Sequence, residues 1–127
     1  MSSTSYGKTL LATVLLAAQL GAANPARAAE LLMFERDGCV WCQRWNREIA
    51  PVYDKTDEAK VLPLRRINID RDKAMGVTLE SPVRFTPTFV VVDEGREVTR
   101  IVGYRNDESF WGLLGGMAAK LRNAGRT

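Results

Sequence analysis

The sequence predicts an α/β fold: one mixed four-stranded sheet, built as β-α-β and then a β-hairpin and a last helix, with helices on both faces. Three observations predict it. The apolar run Leu31-Leu32-Met33-Phe34 is followed, after a short turn, by Cys42, Trp45 and Ile49 at helical spacing. Thr88-Phe89-Val90-Val91-Val92 is β-branched and aromatic, the strongest strand signal in the chain, and residues 97–102 return as its hairpin partner. Phe110, Leu113, Leu114, Met117, Ala118 and Leu121 then share one face of a helix. A chain of 127 residues, 46% hydrophobic and 26% charged, suits one ordinary globular domain.

Residues 1–28 stand apart as a cleaved signal peptide. Lys8 gives a positive start, an apolar stretch covers 10–23, Asn24-Pro25 breaks it, and Ala26-Arg27-Ala28 is a small-x-small cleavage site. The stretch falls short of the roughly 20 apolar residues that span a bilayer. The folded domain is then 29–127. The leader removes Lys8 and Arg27 and no acidic residue, so most of the formal charge of +3 goes with it. A nearly neutral domain has no electrostatic footprint for nucleic acid. Export implies a periplasmic location, where disulfides form and persist.

Within the domain, 31–34 reads as a buried strand and Glu35-Arg36-Asp37-Gly38 as a polar turn. A helix covers about 40–50 and is interrupted or ended by Pro51. A second strand spans 62–70, with Pro63 tolerable only at its start or edge. Two strands joined through a helix pair in parallel with a right-handed crossover. Residues 71–83 are weakly patterned, a loop with a short helix. Asp93-Glu94-Gly95-Arg96 turns the hairpin, and Asn106 or Asp107 caps the last helix. Gly115 and Gly116 lower that helix's propensity by about 1 kcal/mol each relative to alanine.

The chain has no histidine, which excludes Ser-His-Asp and Cys-His nucleophiles and any His-ligated metal. Its two cysteines cannot make a Cys₄ zinc site, and no metal site is expected. They stand as Cys39-Val40-Trp41-Cys42, after a strand and at the opening of a helix. There the backbone N–H groups and the helix dipole favour a thiolate. The i, i+3 spacing sets both sulfurs on one side of the first turn, within disulfide reach. Cys39 at the helix end is the candidate nucleophile and Cys42, one turn in, the resolving cysteine: Cys39 attacks a disulfide, and Cys42 then attacks Cys39 to release the reduced substrate. Arg36, Arg44 and Arg47 are near in sequence and are candidates for lowering the thiol pKa, or solvated surface charges. A structural disulfide and half of an intermolecular metal site are the alternatives to redox chemistry. Trp41 between the cysteines is expected to be exposed to a substrate, and Trp45 to be core. A second feature is Thr86-Pro87 directly before the strongest strand, a strand entry and a natural place for a cis peptide.

Together these residues resemble the thioredoxin superfamily: the 31–34 strand, the Cys39-Val40-Trp41-Cys42 helix start, Thr86-Pro87-Thr88, the hairpin, Gly103-Tyr104 and the last helix. The resemblance covers nearly the whole domain and implies a thioredoxin-like fold. It implies that Pro87 is cis beside the disulfide and that Thr86 offers backbone groups to an extended substrate. Phe34-Glu35-Arg36-Asp37-Gly38-Cys39-Val40-Trp41-Cys42-Gln43-Arg44-Trp45 and Glu48-Ile49-Ala50-Pro51 are similar to SoxS-type periplasmic proteins of sulfur-oxidation gene clusters. That resemblance implies a reductant of specific protein partners, itself reduced by a membrane thiol donor of the DsbD/CcdA type. Two departures stand out. Val40-Trp41 replaces the Gly-Pro of thioredoxins, and Met33 stands where thioredoxins carry a buried aspartate, so proton transfer at Cys42 must use another group or water. Glu35 is the nearest acidic candidate, and a solvated turn residue is the alternative. Tyr104 is expected only to pack.

The expected function is therefore a periplasmic thiol–disulfide oxidoreductase, a monomer whose redox centre is the cysteine pair itself, with no dissociable cofactor. The alternatives are an oxidant in periplasmic folding and a redox-inert thioredoxin-fold regulatory or binding module.

Overall fold

The computed structural model describes residues 28–73 and 76–125. The expected leader lies outside the described residues except for Ala28. The elements run β1 (Glu30–Glu35), α1 (Val40–Glu48), α2 (Ala50–Tyr53), α3 (Asp57–Val61), β2 (Leu64–Asn68), β3 (Thr88–Asp93), β4 (Arg96–Val102) and α4 (Asp107–Ala124). They form one sheet in the order β2-β1-β3-β4. β1 pairs in parallel with β2 and antiparallel with β3, and β4 closes the hairpin. This is the mixed four-stranded sheet of an α/β fold, as predicted.

Both sides of β1 are covered, which is why its apolar run is continuous rather than alternating. Leu31 and Met33 join the larger core with α1 and α4, while Leu32 and Phe34 join a smaller one on the opposite face. The larger core centres on Trp45, fully buried from α1. Its ring centroid lies 5.3 Å from Phe89 of β3 and 5.7 Å from Phe110 of α4. On α4 only Phe110, Leu114 and Ala118 are fully buried, at i, i+4 and i+8. Leu113 of the predicted stripe is 51% exposed. An added Cβ at Gly116 would meet nothing within 4 Å, so close packing does not require glycine there.

The predicted single helix over 40–50 is two. Proline at 51 can neither donate to the carbonyl four residues back nor fit beside it, so α1 ends at Glu48 and Pro51 enters the first turn of α2. The short α3, with Thr56 as its cap, is an element the apolar spacing did not announce. The second strand is shorter than expected, Leu64–Asn68, because Leu62 serves as the C-cap of α3.

Helices on both faces were expected; among the described residues they cover only one. Cysteine and aromatic residues of α1, α2 and α4 pack on the Leu31 and Met33 side. The opposite face, with Ile67, Val90 and Val92, is covered by Ile69, Val77, Leu79 and Val83 of the β2–β3 connection. Their spacing is irregular rather than helical, and the described residues of the connection form turns, bends and one isolated bridge from Thr78 to Arg96, without the expected short helix.

Glu97 straps this connection to the sheet. Its buried carboxylate accepts the Glu80 backbone N–H at 2.8 Å and two Arg100 bonds, at 2.5 and 2.7 Å. Arg100 also donates to Ser81 O at 2.8 Å, and Thr78 brackets the turn through Gly95 O and the Glu97 N–H. The Arg100 guanidinium bonded to Glu97 holds that carboxyl below the usual carboxylate range. Glu97→Ala leaves Arg100 and the Glu80 N–H without their partner and is expected to cost about 3 kcal/mol of stability in urea unfolding. A loss below about 1 kcal/mol, the worth of an exposed pair, would show that the strap holds without it.

Candidate redox site

The turn after β1 delivers Cys39 to the end of α1. Gly38 takes φ +75°, a left-handed conformation that side chains disfavour, and Cys39 follows as an extended N-cap. In that position its Sγ accepts the Cys42 backbone N–H at 3.1 Å. The two cysteines form a disulfide with their Cα atoms 5.2 Å apart. Cys39 is half-buried, and Cys42 is only 3% exposed. The helix thus offers one sulfur to an approaching partner and keeps the other inside.

The surface beside it is apolar: Val40 is 67% exposed and Trp41 52%. Arg44, one turn along, sits 5.8 Å from the ring centroids of both Trp41 and Tyr104. It bonds Glu48 at 2.8 Å and Arg105 O at 3.2 Å. Tyr104 donates its phenol to the other Glu48 oxygen at 2.5 Å. The Tyr104 bond, then Arg44, holds the Glu48 carboxyl below its usual range, while burial and Glu48 push the Tyr104 phenol up. Tyr104 is thus more than a packing residue: it ties the segment after β4 to α1. Sequence spacing gave no sign of this, because the partners lie 56 residues apart. Arg36 is engaged with Asp70 at 3.0 Å. Arg36 and Arg44 therefore each face a carboxylate, and neither stands as a lone cation beside the sulfurs.

Phe34 pairs with Thr88, so the start of β3 lies at the sheet end from which the chain leaves toward Cys39. The Thr86–Pro87 bond there is cis. Pro87 is buried, and its carbonyl accepts the Gly103 N–H at 2.8 Å, which joins the β3 entry to the segment carrying Tyr104. Thr86 has no backbone hydrogen bond among the described residues. Phe85, given no role by the sequence, is 67% exposed and lines a shallow cavity of about 320 Å³ with Val102, itself 58% exposed.

The family model of the thioredoxin-like domain matches residues 16–118. The chain belongs to the thioredoxin-like family. The match begins inside the stretch expected to be a leader. Among curated thioredoxin-like relatives, thioredoxin H1 of Arabidopsis thaliana is 31% identical over 91 residues, 71% of this chain and 75% of that one. Thioredoxin H-type 1 of Nicotiana tabacum is 38% identical over 69 residues, 54% of this chain, and the match spans about half of its length, 52%. Among solved structures, the periplasmic thioredoxin SoxS from Paracoccus pantotrophus, in its reduced form, superposes with a TM-score of 0.68 at 41% identity, covering 72% of this chain and 96% of that one. Met33, where the resemblance to thioredoxins implies an aspartate, is fully buried.

Proposed function

We propose that this thioredoxin-like oxidoreductase is a periplasmic reductase of disulfides or oxidised cysteines in specific protein partners, of the sulfur-oxidation carrier type. One observation carries the reading: a disulfide at a helix N-terminus with Cys39 half-buried and Cys42 buried. A structural disulfide gains nothing from that asymmetry, whereas two-step exchange requires it. The likeness to a protein described as the periplasmic thioredoxin SoxS, together with the signal-like residues 1–28, supports the location.

In the reduced protein Cys39 would be the thiolate. The Cys42 N–H and the positive end of α1 stabilise the charge on its sulfur. It attacks one sulfur of the partner's disulfide, forms a mixed disulfide and expels the other as a thiolate. Cys42 then attacks Cys39, the mixed disulfide breaks, and the partner leaves with both electrons. Trp41 offers an apolar contact, and Thr86 the free backbone groups onto which an extended segment can pair. The oxidised pair is returned to the dithiol by a donor of the DsbD/CcdA type. The chain acts as a monomer, needs no dissociable cofactor and engages no nucleic acid.

The test is the reduction potential of Cys39–Cys42, read from tryptophan fluorescence in dithiothreitol or glutathione buffers. Thioredoxin lies at about −270 mV and the oxidant DsbA at about −120 mV. A value near the first is expected. A value near the second would overturn the reductant reading in favour of disulfide formation in folding clients.

A further inference from the structure

Cys42 poses a problem of its own. At 3% exposure its thiol has little contact with bulk water, yet it must lose a proton to attack Cys39. The strand residue beneath it, Met33, has no acid–base chemistry. Two residues further along β1, on the same face of the sheet, stands Glu35.

Glu35 and both cysteines line one polar cavity of about 270 Å³. That volume holds several waters, and Asn46, Asn68 and Gln43 supply further polar walls. The carboxylate is held in place. Arg66 of β2 donates to its Oε2 at 2.8 Å and, through its other terminal nitrogen, to Asn46 Oδ1 of α1 at 2.8 Å. Glu35 Oε1 has no hydrogen-bond partner among the described residues. The remaining charged groups of the cavity are already engaged. Asp37 takes Asn68 at 3.0 Å and Arg71 at 3.3 Å, and Arg36 takes Asp70. The cavity therefore contains one carboxylate oxygen that is anchored and unoccupied.

Building on the exchange reaction proposed above, we infer that Glu35 is the proton acceptor for Cys42, acting through water in this cavity. In the resolving step the Cys42 thiol gives its proton by way of water to Glu35 Oε1. The new thiolate attacks Cys39 Sγ, the Cys42–Cys39 bond forms, and the Cys39–partner bond breaks with its electron pair leaving on the partner's sulfur. That thiolate takes a proton from solvent, and the proton on Glu35 returns through the cavity water. Arg66 acts as the positioning residue that aims the carboxylate.

The probe is the aryl disulfide dithionitrobenzoate, added at equimolar amount to the reduced protein in stopped flow. It releases one coloured thiolate when Cys39 attacks and a second when Cys42 resolves, so the two steps are read separately. Glu35→Gln is expected to leave the first release within about twofold of wild type and to slow the second about 100-fold near neutrality, the worth of a positioned base. The gap should close as the pH rises toward the thiol's own range near 8.5. Glu35→Asp should restore the second release to within about tenfold of wild type. Wild type supplies a measure that needs no variant: its second release should be nearly level across neutral pH, whereas direct removal of the proton by hydroxide gives about a tenfold rise per pH unit.

Equal slowing of both releases in Glu35→Gln would reduce Glu35 to a structural role and overturn the inference. So would an unchanged second release, or a wild-type rate that tracks hydroxide. A wild-type protein that gives no second release at all would instead sink the exchange reaction itself.

Discussion

Cys39→Ser is expected to bring disulfide reduction down to the uncatalysed background, while Cys42→Ser stops the reaction halfway. The difference follows from where α1 puts the two sulfurs. Cys39 is the N-cap, half-buried, with the Cys42 N–H bonded to its sulfur, and a hydroxyl in its place cannot form the thiolate that starts exchange. Cys42 is buried and meets a partner only after Cys39 has attacked. Its removal leaves the first step intact and takes away the group that ends it. The Cys42→Ser protein should accumulate a covalent complex with a disulfide-bearing protein, visible by mass spectrometry and dissolved by dithiothreitol. Reduction of a protein disulfide at the wild-type rate by Cys39→Ser would assign the disulfide a structural role and return the chain to the redox-inert module.

The largest loss of stability is expected from Trp45→Ala, about 3–5 kcal/mol in denaturant unfolding. Trp45 is fully buried and meets Tyr53, Phe89 and Phe110 at centroid distances of 6.2, 5.3 and 5.7 Å, so one side chain joins α1, α2, β3 and α4. Such a loss takes a large share of the roughly 5–15 kcal/mol that holds a domain together. A second substitution separates size from polarity. The Trp45 indole Nε1 is buried without a hydrogen-bond partner among the described residues. Trp45→Phe keeps an aromatic ring and removes that unpaired donor, so its cost should stay below about 1.5 kcal/mol. Equal losses for the two substitutions would show that the contacts of the larger ring, rather than the filling of the site, carry the stability.

The parts of this molecule that repeat along the chain were legible before the structure. The alternation and β-branching of 88–102 gave the hairpin, down to the turn at Glu94 and Gly95. Both of those residues take positive φ, 50° and 76°, as a two-residue primed turn requires. The 3.6 period gave α4, and Asn106 caps it through a bond from the Ser109 N–H. The cysteine pair was legible because a helix start is itself a local signal. Less was legible where a contact joins distant segments or a segment has no period. Tyr104 reaches Glu48, Glu35 shares a cavity with Cys42, and Glu97 straps the β2–β3 connection, all through pairings that no window along the sequence contains. That connection lacked a pattern because, among the described residues, it covers its face with the isolated apolar residues Ile69, Val77, Leu79 and Val83 rather than a helical stripe. The short helix expected within 71–83 is not formed among its described residues.

This uneven cover predicts regions of different local stability on the two faces of the sheet. Among the described residues, thirteen buried ones, interlocked by aromatic rings from four elements, hold the helical side; five hold the other, beneath a connection fastened through Glu97 and Thr78. Native-state hydrogen exchange separates such regions, because the weaker opens at a free energy below that of global unfolding. The weaker one leads straight into Thr86 and Pro87, while the cysteines are rooted in the stronger. Backbone amides around Val77, Leu79 and Val83 are therefore expected to exchange sooner than those around Cys42 and Trp45.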